Sequence, residues 1–80
     1  MIEPVDKKRF ARLSALSPME AIQAWLDGDF GLGDGPAMVS AIRKDSRITI
    51  SDAAIWEFMD EAMMKPLLAS TCMKRLVAER

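Results

Sequence analysis

Ser51-Asp-Ala-Ala-Ile-Trp-Glu-Phe-Met-Asp-Glu-Ala-Met-Met64 places apolar residues at Ile55, Phe58, Met59, Ala62 and Met63. That i, i+3, i+4, i+7, i+8 recurrence is the signature of an amphipathic helix. Ser51 stands where a side-chain oxygen can accept an orphan amide, and Asp52 suits the positive end of the helix dipole. Trp56 and Met64 lie off the main stripe and widen the apolar surface beyond the needs of a simple surface helix. Glu57, Asp60 and Glu61 fall on the solvent side. Pro66 removes an amide and disfavours helical geometry at Lys65, so the helix is predicted to stop there.

Reading outward, a last helix is predicted over 67–79, with Leu68, Cys72 and Leu76 spaced by four and Met73 and Val77 beside them. Upstream, residues 46–50 are β-prone and predict a brief extended link. Pro36 opens a short helix with Asp34 or Gly35 as its cap, Met38, Ala41 and Ile42 on one face, and Arg43 and Lys44 in its last turn. The Gly/Asp-rich stretch 27–35 holds all four glycines and cannot stay helical. Phe30 and Leu32 are expected to pin that loop to the core. Ser17-Pro18-Met-Glu20 is a capping box with proline at the first helical position. The helix it opens carries Met19, Ile22, Trp25 and Leu26 on one face and ends near Asp27-Gly28. Residues 1–16 are ambiguous: Pro4 can open a helix to about Ser14 with Phe10 and Leu13 inward, or Arg9 to Leu16 can form a strand. Helix is slightly preferred.

Eighty residues bound the chain to one domain. A domain this small buries only about 60–65% of its unfolded surface, so its core is marginal without reinforcement. A disulfide within the chain is excluded because Cys72 is the only cysteine, and a lone thiol suits a reducing compartment such as the cytoplasm. There is no histidine, which makes a zinc site implausible. The net charge of −1 speaks against a nucleic-acid binder that works by bulk charge. No apolar run has the length of a membrane span, and the Met-Ile-Glu-Pro start has no apolar core of a secretion signal.

The candidate chemical motifs fail one by one. A calcium loop beginning at Asp27 requires an oxygen ligand at 31, glycine at 32 and glutamate at 38, where the chain has Gly31, Leu32 and Met38. Gly31-Leu-Gly-Asp-Gly35 resembles a phosphate cradle, yet three carboxylates in the same loop would repel phosphate. Cys72 has no histidine to activate it and sits on an apolar stripe. Glu57, Asp60 and Glu61 read as a solvated helix face rather than paired catalytic carboxylates. Lys7, Lys8, Arg9 and Arg12 form the one basic cluster, able to meet phosphates or an acidic surface, with Phe10 as its lone aromatic neighbour. Methionine is the most suggestive residue: four of the seven, Met59, Met63, Met64 and Met73, fall within fifteen positions. Met adapts its shape and is over-used at surfaces that bind partners. Met59 and Met63 read as core, and Trp56 and Met64 as surface contacts.

From Ser17 to about Lys65 the order of features resembles a family of small alphaproteobacterial domains of unknown function. The features are the Ser17-Pro-Met-Glu-Ala-Ile-Gln-Ala-Trp-Leu26 helix, the aromatic Phe30, Gly-Pro-Ala at 35–37, and Ala54, Phe58 and Ala62 on one helix. The match spans about three fifths of the chain. Ile55 and Trp56 depart from the family, which more often has arginine and alanine there, and the second helix is shorter. The resemblance implies no activity and a short N-terminal strand.

The resulting expectation is a mainly α, compact three- to four-helix domain, with a short N-terminal strand as the alternative. Its core is expected from Ile22, Trp25, Leu26, Met38, Ile42, Ile55, Phe58, Met59 and Leu68. The expected role is a non-catalytic protein-binding module, adaptor or inhibitor, without cofactor or metal and without membrane attachment, and a homodimer is a variant of that idea. Its candidate contact residues are Trp56, Met64, Met63, Asp60, Lys7, Lys8, Arg9 and Arg12. The runner-up is a small DNA-binding regulator with a helix-turn-helix-like arrangement.

Overall fold

A computed structural model describes residues 7–31 and 33–78. Five helices follow in order: α1 (Lys7–Ser14), α2 (Pro18–Leu26), α3 (Gly35–Ile42), α4 (Asp52–Met64) and α5 (Ala69–Ala78). There is no strand among the described residues. The described residues are thus mainly α, with five helices where three or four were expected. The ambiguous N-terminal segment supplies the additional one: residues 7–14 are helical, which overturns the strand alternative over Arg9 to Leu16. The short strand implied by the family resemblance is likewise not found among the described residues. Pro4 and Leu32 lie outside the described residues.

The ends of α2 follow from its sequence. Ser17 Oγ accepts the Glu20 amide at 3.2 Å while Glu20 Oε1 accepts the Ser17 amide at 2.9 Å, with Pro18 in the first turn. At the other end Gly28 adopts φ +79°, and its amide donates to Trp25 O while that of Asp29 donates to Ala24 O. This is a Schellman closure, and only glycine takes that backbone without strain. In α4, Ser51 Oγ accepts the Ala54 amide, and the helix stops at Lys65, before Pro66.

Three local expectations are corrected. Asp34 does precede α3, but its side chain makes no cap; it accepts the Gly31 amide at 2.7 Å and turns to Arg9. Residues 46–50 form no strand: 46 and 47 are in a turn and 50 is at a bend. Asp45 Oδ1 accepts the Arg47 amide and the Ile48 amide donates to Asp45 O, which folds Ile48 into the core. A short acidic side chain that bonds the backbone two residues on offers an alternative to the strand that β-branched residues favour. Because α3 ends at Ile42, Arg43 and Lys44 follow its last turn instead of filling it.

Ile22, Trp25, Met38, Ile42, Ile55 and Met59 are buried as expected, joined by Phe30, Ile48, Cys72 and Leu76. Leu26 and Phe58 are only half-buried. Leu68 is 72% exposed, against expectation. It precedes the first turn of α5 and contributes only its carbonyl, which accepts the Cys72 amide at 3.0 Å. The inward stripe of α5 is Ala69, Cys72 and Leu76. Met63, read as core, is 41% exposed, because the buried track of α4 runs through Ile55, Met59 and Ala62.

Helices α2 and α3 form the centre, α3 packing against α1, α2 and α4, and α2 against α3, α4 and α5. Helix α1 has no buried residue and packs chiefly on α3. Its main polar tie is Arg9, whose Nε and Nη2 donate to the Asp34 carboxylate at 3.1 and 2.7 Å. That bond holds the Asp34 carboxyl below its ordinary value, against the opposing effect of desolvation. A depressed carboxyl contributes stability above its unfolded value and loses it as pH falls through the folded one. Arg9→Ala is therefore expected to raise amide exchange across 7–14 by at least about ten-fold, with the exchange of α2 to α5 little changed. The same undocking is expected in the wild type only below about pH 4. Native-state hydrogen exchange against pH checks both outcomes.

Candidate functional site

Trp56 is the residue around which a surface site is built. It is 41% exposed, although its ring packs against the buried Trp25. Its ring meets that of Trp25 edge-on at 5.3 Å, and Trp25 in turn meets Phe30 edge-on at 5.9 Å. Such edge-to-face geometry places positive ring edges on negative faces and fixes the ring planes. Trp25 is itself anchored by its Nε1–H, which donates to Met59 O at 2.8 Å. On its other side Trp56 lies against the first residue of α3: a Cβ on Gly35 would come within 1.9 Å of the indole. Gly35 thus serves by having no side chain, and the indole rests directly on backbone.

Trp56 and Gly35 floor an open groove of about 820 Å³ between α3 and α4, with Pro36, Val39 and Ala53 completing its apolar surface. Ser40, Arg43, Lys44 and Asp52 form its polar part. Arg43 is held from two sides, its Nε donating to Asp52 Oδ1 and its Nη2 to Ile50 O. Lys44 is exposed beside it.

Past the groove, α4 continues the surface. At about 100° per residue, Ala53, Trp56, Asp60, Met63 and Met64 share one strip roughly 100° wide. Met64 is 80% exposed and Asp60 is also exposed. Four of the expected contact residues (Trp56, Asp60, Met63 and Met64) are thus brought together on one helix face. The basic quartet is not. Lys7, Lys8 and Arg12 are exposed on α1, whereas Arg9 turns inward to Asp34. Two of the three glycine-loop carboxylates are engaged within the fold: Asp27 accepts from Gln23 Nε2 at 2.9 Å and Asp34 from Arg9, while Asp29 is exposed. Glu61 pairs with Lys65 at 2.7 Å, which lowers its carboxyl.

Sequence reasoning missed the α3 wall of the groove: Gly35, Pro36, Val39 and Arg43. Gly35-Pro36 reads as turn punctuation and a helix start, and nothing local says that a tryptophan twenty-one residues on requires the glycine. The helix-turn-helix outline gains no support from the geometry. Residues 27–34 separate α2 from α3, and α3, which would have to enter a DNA groove, exposes only Pro36 and Ser40.

Comparison of the chain with protein-family models, curated proteins and solved structures finds no match. The resemblance over 17–65 therefore rests on its quoted motifs.

Two measurements check the site. In an ordinary helix Gly→Ala stabilises by up to about 1 kcal/mol. Gly35→Ala is instead expected to destabilise by about 1–3 kcal/mol, because the methyl displaces the indole. Adding Trp56→Ala should cancel much of that penalty in a urea-unfolding double-mutant cycle. Cys72 is buried, and desolvation pushes its thiol up. Ellman's reagent is expected to modify it only on unfolding, with a native rate at neutral pH at least about a hundred-fold slower than in urea.

Proposed function

We propose that the protein is a non-catalytic protein-binding module, an adaptor or inhibitor that works by occupying a partner's surface. Its contact face is the α4 strip of Trp56, Asp60, Met63 and Met64 with the adjoining α3–α4 groove. The observation that supports this reading most directly is a half-exposed tryptophan locked between Trp25 and the Gly35 backbone. A rigid aromatic anchor loses little conformational freedom on binding, which is why tryptophan dominates the energetics of so many interfaces. The methionines beside it add an apolar, shape-adapting border. A lone buried thiol suits work in a reducing compartment such as the cytoplasm.

Trp56 is a poor residue for the test because it also supports the fold. Met63→Lys with Met64→Glu changes the strip at exposed positions, where substitutions are usually tolerated within about 0.5 kcal/mol. The double variant is expected to keep the wild-type circular dichroism and melting temperature, and to lose the proteins that the wild type captures from extracts of its native host. Capture of the same proteins at the same yield by both forms would sink the proposal.

A further inference from the structure

The charges of the α4 strip point to one kind of occupant. Asp52 is paired with Arg43 and Glu61 with Lys65. Asp60, on the strip, and Glu57, at its border, form no ion pair among the described residues. The strip therefore offers apolar side chains edged by two uncompensated carboxylates. A surface complementary to it is a helix face with cations beside an apolar group.

This chain displays such a face. On α1, Lys7, Lys8 and Arg12 form no ion pair among the described residues. Helical geometry sets Lys8 and Arg12 one turn apart on one flank, with Ala11 small and exposed near the centre of the outer face and Lys7 one turn before it. Phe10 lies on the opposite flank and is 38% exposed. Among the described residues nothing covers the outer face of α1, whose inward side, through Arg9, attaches it to α3. A small alanine between a cationic flank and an aromatic flank permits close helix approach.

We propose that the occupant of the α4 strip is α1 of a second copy of this chain. Lys8 and Arg12 then face Glu57 and Asp60 of the other copy, while Phe10 meets the methionine side of the strip. Each protomer carries both faces, and in the proposed two-fold pair the contact forms twice. The low net charge of −1 leaves little overall repulsion to oppose association. This inference rests on the reading of the α4 strip as a protein-contact face and names its partner.

The test is charge reversal with complementation, read by sedimentation equilibrium over about 1 µM to 1 mM protein. Wild type is expected to dimerise, with dissociation promoted by raising salt from about 50 to 500 mM. Lys8→Glu with Arg12→Glu, and separately Glu57→Lys with Asp60→Lys, should each weaken self-association roughly ten-fold or more, since each places like charges at both copies of the contact. Mixing the two variants restores opposite charges at both contacts and should yield a heterodimer at least as tight as wild type. A wild type that stays monomeric throughout, or a dimer indifferent to either reversal, overturns the proposal, as does failure of the mixture to associate. These outcomes separate from those of the broader reading. A monomeric wild type that still loses its host proteins on changing Met63 and Met64 leaves that reading standing without this one.

Discussion

The indole of Trp25 is the point on which three separate parts of the chain converge. Its N–H bonds the Met59 carbonyl, 34 residues away, which ties α2 to the middle of α4. Its ring edges set Phe30, and with it the glycine-rich loop, on one side and Trp56 on the other. A buried indole must find a hydrogen-bond partner or lose the solvation of its N–H, so this bond specifies register as much as it adds stability. Large aromatics also cover much area each, which matters in an 80-residue chain whose core is necessarily small.

Around that core the polar interactions act mainly at edges. Ser17, Glu20 and Ser51 satisfy helix amides that packing leaves open, and Asp45 closes a turn through Arg47. The Asp45 carboxyl is held down to about 2, first by its bond from the Arg47 side chain. Its stabilising effect is therefore complete at neutral pH and is lost only as the pH falls below the ordinary carboxyl range toward about 2. Among the described residues no buried side-chain polar atom lacks a partner. The domain thus keeps its charges at the surface and its interior apolar, an arrangement that avoids the desolvation of buried ions.

The sequence exposes this design unevenly. The capping box at Ser17, the Gly28 closure and the Ile55–Met59 track were legible because each depends on residues within one or two turns. The fifth helix was half-legible: α1 is short, buries no residue and owes its docking to Arg9 and Asp34, which lie 25 positions apart. Leu68 misled because a stripe extrapolated by fours assumes that the helix already includes it, and α5 starts one residue later. Ile48 misled in the opposite sense, since the start of a β-prone segment became a turn once Asp45 bonded its backbone, and Ile48 folded into the core. At the surface, Trp56 and Met64 stood out as surplus apolar residues, whereas the groove wall did not, because Gly35 has meaning only opposite Trp56.

That last pairing explains why Trp56 suits the contact proposed for it. A flexible exposed indole would exchange its freedom for each interaction it formed. Trp56 has lost that freedom already, on folding, to Trp25 and Gly35, and still keeps 41% of its surface in solvent. The fold therefore presents a preorganised aromatic floor whose orientation is fixed by the same buried indole that sets the register of α2 and α4. A change that loosens Trp25 would loosen the groove with it, so core and proposed contact face are one mechanical unit rather than a scaffold with an appended patch.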